Sequence, residues 1–562
     1  MKLSAGVIVK ESDLSTSVPQ LASSVTAMVG AFSQGPCTER VLITNVKSLE
    51  EVYGKPDDTN YIDWFTAYNI LQYNQLLYIN RAENSTMLNA GLGFTTVSTL
   101  ATAASVSDIR LNDTDDFDAT DISFNTGEKL RILARYPGAY GNSIKVSTCP
   151  STSFTTATIY GTTKFVDLFD KATLETNDVA VVVQYPDPID TSTWAIVETH
   201  ICSTSPTAKD YNGQTTWIGE YINRNSSYIC AYTGDSSTFA LPVSKEVALV
   251  GGTLGTYTSA DFDEAYDIFA NPEDFDFSIL VDCHNTTLNS AASVAALQKS
   301  VVDKMVGTSK RNDIFFVLSP YSGDVVKKTP SQAQAALETY VKTTLNKPTS
   351  YAALYGNWKY QYDRYNDKYR WLPLSGDIAG IFASNDATRE LWFAPAGLTR
   401  GQIKNCIKLA FNPDKGVRDI LYKNNINPVV SFPGEGHVVL GQKTLLTASS
   451  AFSRVAVRRL FNYMEKAISI ASRYFLFEKN NTFTRRQWIS IVDPFLADIK
   501  AKEGLLDYAV LCDSSNNGST QLDNNQLVAS IFVKPASDIE EIELNFINTK
   551  NGVDFKEITN RA

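Results

Sequence analysis

The chain has 562 residues, too many for one ordinary hydrophobic core, so about two to four domains are expected. Hydrophobic content of 43% with 20% charged residues is that of a soluble globular protein. The net charge of −11 and pI near 5.0 argue against direct nucleic-acid binding, and the longest apolar runs fall short of the roughly 18–20 residues that membrane insertion requires.

The first 20 residues read as an arm. Val7, Ile8, Val9, Lys10 and Glu11 are strand-like, and no turn folds them back, so they are able to pair with another chain as easily as with their own. Met1–Val9 carries one lysine and no apolar h-region; no signal peptide is expected, and the protein should be made and folded in a cytoplasm. Residues 24–82 read as strand (25–32), strand (41–43), helix (61–73, with Trp64, Phe65, Tyr68 and Leu71 at helical spacing) and strand (76–79).

From 83 to 245 the composition turns rich in Ser, Thr, Asp and Asn, with short strands such as 179–183, which predicts a peripheral β-rich insertion of one or two subdomains. Asp113, Asp115, Asp116, Asp118 and Asp121 resemble a calcium loop, but Phe117 occupies a ligand position and neither the turn glycine nor the distal glutamate is in place. A solvated acidic loop is the better reading.

Beyond 247 strands (277–281, 314–318, 351–355) alternate with helices (291–305, 331–344), which implies a partly parallel, helix-covered sheet. A Gly/Ala helix at 378–383 follows. Such a sheet invites a search for nucleotide sites. Gly251-Gly252-Thr253-Leu254-Gly255 lacks the dinucleotide spacing, and in Gly436–Thr444 the intervening Gln442 breaks the register of a P-loop. The seven cysteines are scattered without a CxxC pair and read as buried free thiols. Cys283 and His284 are adjacent, but on a strand their side chains point to opposite faces, so they are no nucleophile–base pair. Neither a catalytic residue nor a cofactor or metal site is expected.

The segment 450–477 reads as one amphipathic helix. Phe452, Val455, Leu460, Phe461, Met464, Ile468, Ala471 and Phe475 form its apolar stripe; Arg454, Arg458, Arg459, Lys466 and Arg473 line the other side against a single Glu465, a local reversal of sign in an acidic chain. A solvated face is the plain reading of that charge. Residues 527–533 and 539–546 read as an antiparallel pair connected through Pro535, two strands with open edges that are marginal alone. The N-terminal arm and the tail 552–558, with Val553 and Phe555, are candidates to complete that sheet.

Ordered landmarks along the chain resemble the tail sheath family of contractile-tailed bacteriophages and related contractile injection systems. They include Gly6-Val7 through Glu11, Ala31-Phe32-Ser33-Gln34-Gly35-Pro36, Gly54 through Arg81-Ala82, Tyr136-Pro137-Gly138 with Gly141-Asn142, and Leu249 through Gly255. The most specific are Trp392-Phe393-Ala394-Pro395-Ala396-Gly397, Asn425 through Pro428, Gly441-Gln442-Lys443-Thr444-Leu445, Ser453 through Leu460, and Phe477-Glu478 through Asn480 to Trp488. Most of 83–245 is left unmatched.

The resemblance implies a multidomain mixed α/β (α+β) fold: a 1–20 arm for strand exchange, a middle α/β domain of 21–82 with 246–375, the peripheral β-rich insertion 83–245, a tube-facing sheath-type C-terminal α/β core domain 376–548, and a 549–562 arm. It implies a homo-oligomer of stacked six-membered rings around a tail tube protein, with baseplate and tail terminator proteins as further partners. The sheath would be part of the virion tail, assembled in the host cytoplasm, and would contract during genome ejection on energy stored in the extended assembly. On the same grounds Arg454, Arg458, Arg459, Lys466 and Arg473 are candidate tube contacts, while Leu527, Ile531, Val533, Ile542, Leu544 and Phe546 are candidate acceptors for arms from neighbouring subunits. The alternatives are a genome-less tailocin-like injection particle, an α/β hydrolase or nucleotide-dependent enzyme, and a surface-layer protein or adhesin.

Overall fold

Continuous apolar runs suit strands buried on both faces, and here they build one seven-stranded sheet. Its strands are β1 (Thr26–Gly30), β2 (Val41–Ile43), β3 (Leu77–Arg81), β4 (Ile279–Val281), β5 (Phe315–Leu318), β6 (Ala352–Tyr355) and β7 (Ile426–Asn427), in the order β2-β3-β1-β4-β5-β6-β7. Every neighbouring pair is parallel except β2 against β3. The computed structural model describes residues 24–100, 109–113, 116, 122–159, 161, 163–186, 193–234, 237–307 and 310–540.

The helices around this sheet are α1 (Val46–Tyr53), α2 (Tyr61–Leu71), α3 (Ser259–Ala265), α4 (Ala291–Met305), α5 (Pro330–Thr339) and α6 (Ser375–Thr388). Successive strand side chains point to opposite faces. Val29, Leu280, Phe316 and Leu354 therefore pack with Leu297 and Val301 of α4 and Leu337 of α5. Met28, Ile279, Phe315 and Ala353 pack on the other face with Trp64 and Phe65 of α2 and Phe382 of α6. Local signals start these helices where the chain needs them: the Ser290 hydroxyl accepts from Ser293 N at 3.2 Å, and Thr329 caps α5 with Pro330 in its first turn. The helix expected over 331–344 continues from α5 into one π-helical turn, Tyr340–Leu345. α1 was not legible: eight residues are too few for a helical period, although Leu49 and Tyr53 are buried four apart.

Helices α2 and α6 meet at very close range. A Cβ on Gly376 would lie 2.6 Å from the Thr66 carbonyl oxygen, and one on Gly380 would lie 2.5 Å from the Tyr73 ring. α6 packs in the same core as β1–β6, and β7 pairs with β6. Compactness separates the chain into Pro19–Ser469 and a second unit whose described residues are 470–540.

The polar stretch after β3 is β-rich. Two four-stranded sheets, one containing Lys145–Pro150, Asp178–Pro186, Trp194–Ser203 and Ser244–Ala248, the other Gly91–Thr95, Thr99–Leu100, Glu128–Ala134 and Ile229–Thr233, enclose a core of Leu92, Phe94, Leu130, Ile132, Val146, Val181 and Val183. The chain leaves and returns side by side, with Leu88 opposite Thr253 and Gly91 opposite Val250. In the acidic loop Asp113 accepts from Asp116 N and Thr38 Oγ1, and Asp116 accepts from Asn112 N, so these carboxylates organise their own loop; Asp115, Asp118 and Asp121 lie outside the described residues.

In the second unit, the end of α7 (Val455–Arg473) is followed by α8 (Thr482–Ala501), β8 (Leu505–Leu511), a short helix at Ser519–Asp523 and β9 (Ser530–Pro535). Asn481 caps α8, and Trp488, Val492, Leu496 and Ile499 form its buried stripe. The Trp488 indole donates to Ser472 Oγ at 2.9 Å and ties α8 to the preceding helix end.

Candidate assembly surfaces

In an open parallel sheet, ligands bind outside the carboxyl ends of the strands where the strand order reverses. Here that point lies between β1 and β4, and side chains fill it. Asp63 of α2 accepts from Ala31 N at 2.9 Å, from Asn285 Nδ2 at 2.8 Å and from Cys283 Sγ at 3.6 Å. Asp282 Oδ2 takes Gln298 Nε2 and Ser319 N, each at 2.7 Å, and pairs with His284 Nε2 at 2.8 Å. The void left beside Asp282, Cys283 and Gln298 is about 10 Å³, roughly one water. Cys283 and His284 thus face different partners, and burial, followed by the neighbouring Asp63, pushes the thiol well above its usual range.

Burial also raises Asp63, to about 6 against an ordinary 3.8. The folded chain therefore holds a proton there that the unfolded chain releases, so stability falls as pH rises from about 4 through 6, by about 3 kcal/mol in total. An Asp63→Asn variant keeps the acceptor oxygen and cannot ionise. It is expected to match the wild type near pH 3.5, below the unfolded pKa, and exceed it by a margin approaching that amount at pH 7.5, read from denaturant midpoints at both pH values. Equal midpoints at pH 7.5 would contradict this account.

The near-P-loop is occupied by its own chain. Gly436–Val439 is a strand paired with Val429–Phe432, Lys443 Nζ donates to the Tyr422 carbonyl at 2.8 Å and lies 4.2 Å from that ring centroid, and Thr444 Oγ1 donates to Phe452 O.

The basic residues of α7 do not form the expected free face. Arg458 is 5% exposed; it donates to Asn462 Oδ1 at 2.8 Å, pairs with Glu465 at 3.3 Å, and lies 4.5 Å from the ring centroids of both Tyr351 and Phe452. Arg459 is buried against Asp386, and Lys466 pairs with Asp276 and, at 2.9 Å, with Asp313. Long basic side chains bury their stems and carry the charge to acids on other elements, so a helical wheel misplaces them. Arg454 is half-buried and Arg473 exposed.

Exposed aromatic surface lies just past Arg473, which sequence reasoning missed. Tyr474, Leu476 and Phe483 are exposed, and Phe477 is 105% exposed with a left-handed backbone, φ 70°. That conformation costs a bulky residue on the order of 1 kcal/mol.

The C-terminal ribbon differs from expectation. β9 pairs antiparallel with β8, placing Ile531 opposite Val510 and Val533 opposite Tyr508; of the expected strand 539–546, all but Ile539 and Glu540 lies outside the described residues. Pro535 ends β9 opposite Leu505, where its missing N–H interrupts nothing. The intervening loop is closed by Asn517, which donates to Val528 O and accepts from Val528 N, each at 2.8 Å. Leu527 precedes the strand. Among the described residues β8 and β9 pair only with each other, leaving both outer edges open, and Leu506 and Phe532 are exposed. Val7, Ile8, Val9, Lys10, Glu11, Ile542, Leu544, Phe546, Val553 and Phe555 lie outside the described residues.

Among the described residues, side chains fill the crevice at the strand ends of Pro19–Ser469, and the second unit carries unpaired strand edges and exposed aromatics, surfaces of the kind an assembly subunit has. Residues 255–445 match the phage tail sheath protein central domain and residues 447–548 the phage tail sheath C-terminal domain. The chain is 30% identical to the tail sheath protein of Vibrio phage KVP40 over 99% of both chains. It is 34% identical to that of Enterobacteria phage T4 over 77% of this chain and 66% of the other. The chain belongs to the phage tail sheath protein family. Its mixed α/β fold is similar to the crystal structure of a sheath tail protein from Listeria innocua, with a TM-score of 0.57 at 12% identity over 93% of this chain and 94% of that one. It is also similar to the helical sheath of the anti-feeding prophage in its contracted state, with a TM-score of 0.53 at 12% identity over 98% and 100%.

Proposed function

We propose that the chain is the repeating subunit of a contractile phage tail sheath, polymerising as stacked six-membered rings around a tail tube and contracting to drive that tube through the bacterial envelope during genome ejection. The observation that carries this is the β8–β9 ribbon, both of whose edges are unpaired among the described residues, in a chain similar end to end to a phage tail sheath protein. Arms 1–20 and 549–562 of neighbouring subunits add strands to those edges: backbone hydrogen bonds supply affinity and alternate side chains set register. Baseplate and tail terminator proteins bound the sheath, and the work of contraction comes from the assembled lattice rather than from turnover at a catalytic site. The identity to phage proteins favours a genome-carrying virion tail, assembled in the host cytoplasm, over a genome-less particle. Negative-stain electron microscopy of the expressed chain tests the reading: tubes or cogwheel rings support it, and isolated globules overturn it.

Tube contact, on this reading, moves from the buried arginines to the tip after α7, where Arg473 joins Tyr474, Leu476 and Phe477. A strained, fully exposed aromatic is poorly explained by the subunit's own stability. Phe477→Asn, which tolerates the left-handed backbone, is expected to leave the monomer as stable or up to about 1 kcal/mol more stable while reducing co-assembly with tube protein. Normal sheathed tubes from this variant would refute the assignment.

A further inference from the structure

The stretch 398–423 is basic in an acidic chain. Arg400, Lys404, Lys408, Lys415, Arg418 and Lys423 stand there against Asp414 and Asp419, while the whole chain carries −11. None of the six cations makes an ion pair among the described residues. Arg400 and Lys404 donate to the carbonyls of Ala394 and Gln72, and Lys408 and Arg418 lie over the rings of Tyr360 and Phe432. Asp414 is occupied in capping the helix Lys415–Lys423, where it accepts from Val417 N at 2.9 Å.

Local bonds gather these residues around the hairpin of Val429–Phe432 and Gly436–Val439. Asn412 exchanges two bonds with Ser431, at 3.1 and 2.9 Å, and Arg418 reaches Phe432 on the same strand. On the other strand His437 O accepts from Ile403 N at 3.0 Å. Ile407 and Ile420 are 53% and 40% exposed among the charges. Cations without acids, interleaved with exposed aliphatics, match a partner that is acidic and apolar at once.

The chain itself contains such a segment. Residues 538–544 read Asp538-Ile539-Glu540-Glu541-Ile542-Glu543-Leu544, with no cation before Lys550. Asp538, Ile539 and Glu540 are exposed, and 541–544 lie outside the described residues.

We propose that the basic surface around 398–423 receives segment 538–544 of a neighbouring copy. The contact takes its second copy from the sheath reading, and its chemistry from this chain's own charges and aliphatics. It joins different patches on the two copies, so it propagates a ring or helix rather than closing a dimer.

A fluorescently labelled peptide of residues 536–546, titrated into the soluble full-length chain before assembly, is expected to bind saturably. Binding should weaken about tenfold or more to the chain carrying Lys408→Glu and Lys415→Glu, both exposed side chains, and should weaken with added salt. Lys47→Glu, on α1 beside β2 at the opposite edge of the sheet, should leave it unchanged. No saturable binding, or equal weakening by Lys47→Glu, overturns the proposal. Polymerisation gives a second readout. Glu540→Lys with Glu541→Lys is expected to impair it, as is the Lys408 and Lys415 pair, and the chain carrying all four reversals is expected to recover it. A fourfold variant no better than either pair overturns the contact. Wild-type chains that remained single would count against the sheath reading, and the peptide titration would still decide this contact.

Discussion

Deleting residues 1–15 is expected to abolish polymerisation while leaving a folded monomer. The β8–β9 ribbon is two strands wide, and such ribbons are marginal in water unless a further strand or a helix supports them. α8 supports one face through Trp488, Val492, Leu496 and Ile499, so the ribbon is expected to survive in the monomer. A strand added from a neighbour makes about four to six backbone hydrogen bonds at roughly 0.5–1.5 kcal/mol each, several kcal/mol before the cost of ordering the arm. Repeated at every subunit, that linkage joins successive rings, and its removal acts on each junction at once. Sedimentation and electron microscopy should find monomers with an unchanged circular dichroism spectrum and thermal transition. Sheaths of normal length from the truncated chain would refute strand exchange as the joining device.

The second large effect concerns a buried ion pair. Lys359 and Asp377 are 0% and 1% exposed, with Nζ 2.9 and 2.8 Å from the two carboxylate oxygens and 3.1 Å from Lys404 O. Tyr73 donates to Asp377 at 3.3 Å and accepts from Lys404 N, so the end of α2, the strand Trp358–Asp363 and the start of α6 share one polar node. Burial nevertheless holds the Asp377 carboxyl above its usual range, with Lys359 pulling the other way. Lys359→Met leaves that carboxylate alone and is expected to cost about 3–5 kcal/mol, whereas Lys359→Met with Asp377→Leu should recover most of the loss. Removing Lys359 takes away what lowers the Asp377 pKa, so the single variant should lose less at acidic pH, where the carboxyl is protonated. Denaturant unfolding of the three proteins measures this. A single variant within about 1 kcal/mol of wild type, or a double variant no better than the single, would contradict it.

Much of the sheet was legible because its signals are local. The runs Ile279–Val281, Phe315–Leu318 and Ala352–Tyr355 are apolar without alternation, and helical segments separate them. The broken phosphate loop at Gly436–Thr444 was legible for the same reason, since one inserted glutamine removes the required register. The basic face of α7 was not. The partners that neutralise Arg459 and Lys466 are Asp386, Asp276 and Asp313, far away in sequence, and no pattern within α7 announces them. The ribbon was half legible: β9 was found, but its pairing with β8 was not, since nothing local to Leu505–Leu511 marks that partner.

The sequence by itself determined the alternation of strand and helix, the polar β-rich excursion between 83 and 245, the absence of a nucleotide-binding register at Gly436–Thr444, and the ordered landmarks of the sheath family. Periodicity, capping and glycine spacing act over a few residues and can be read there. Tertiary structure alone decided which charges are spent inside the subunit and which strand edges and aromatics remain outside. Burial and ion pairing depend on what an element distant in sequence, 73 residues away for Asp386 and 190 for Asp276, places opposite a side chain. That is why Arg458 and Arg459 pass from the surface to the interior, and Phe477 becomes the exposed group.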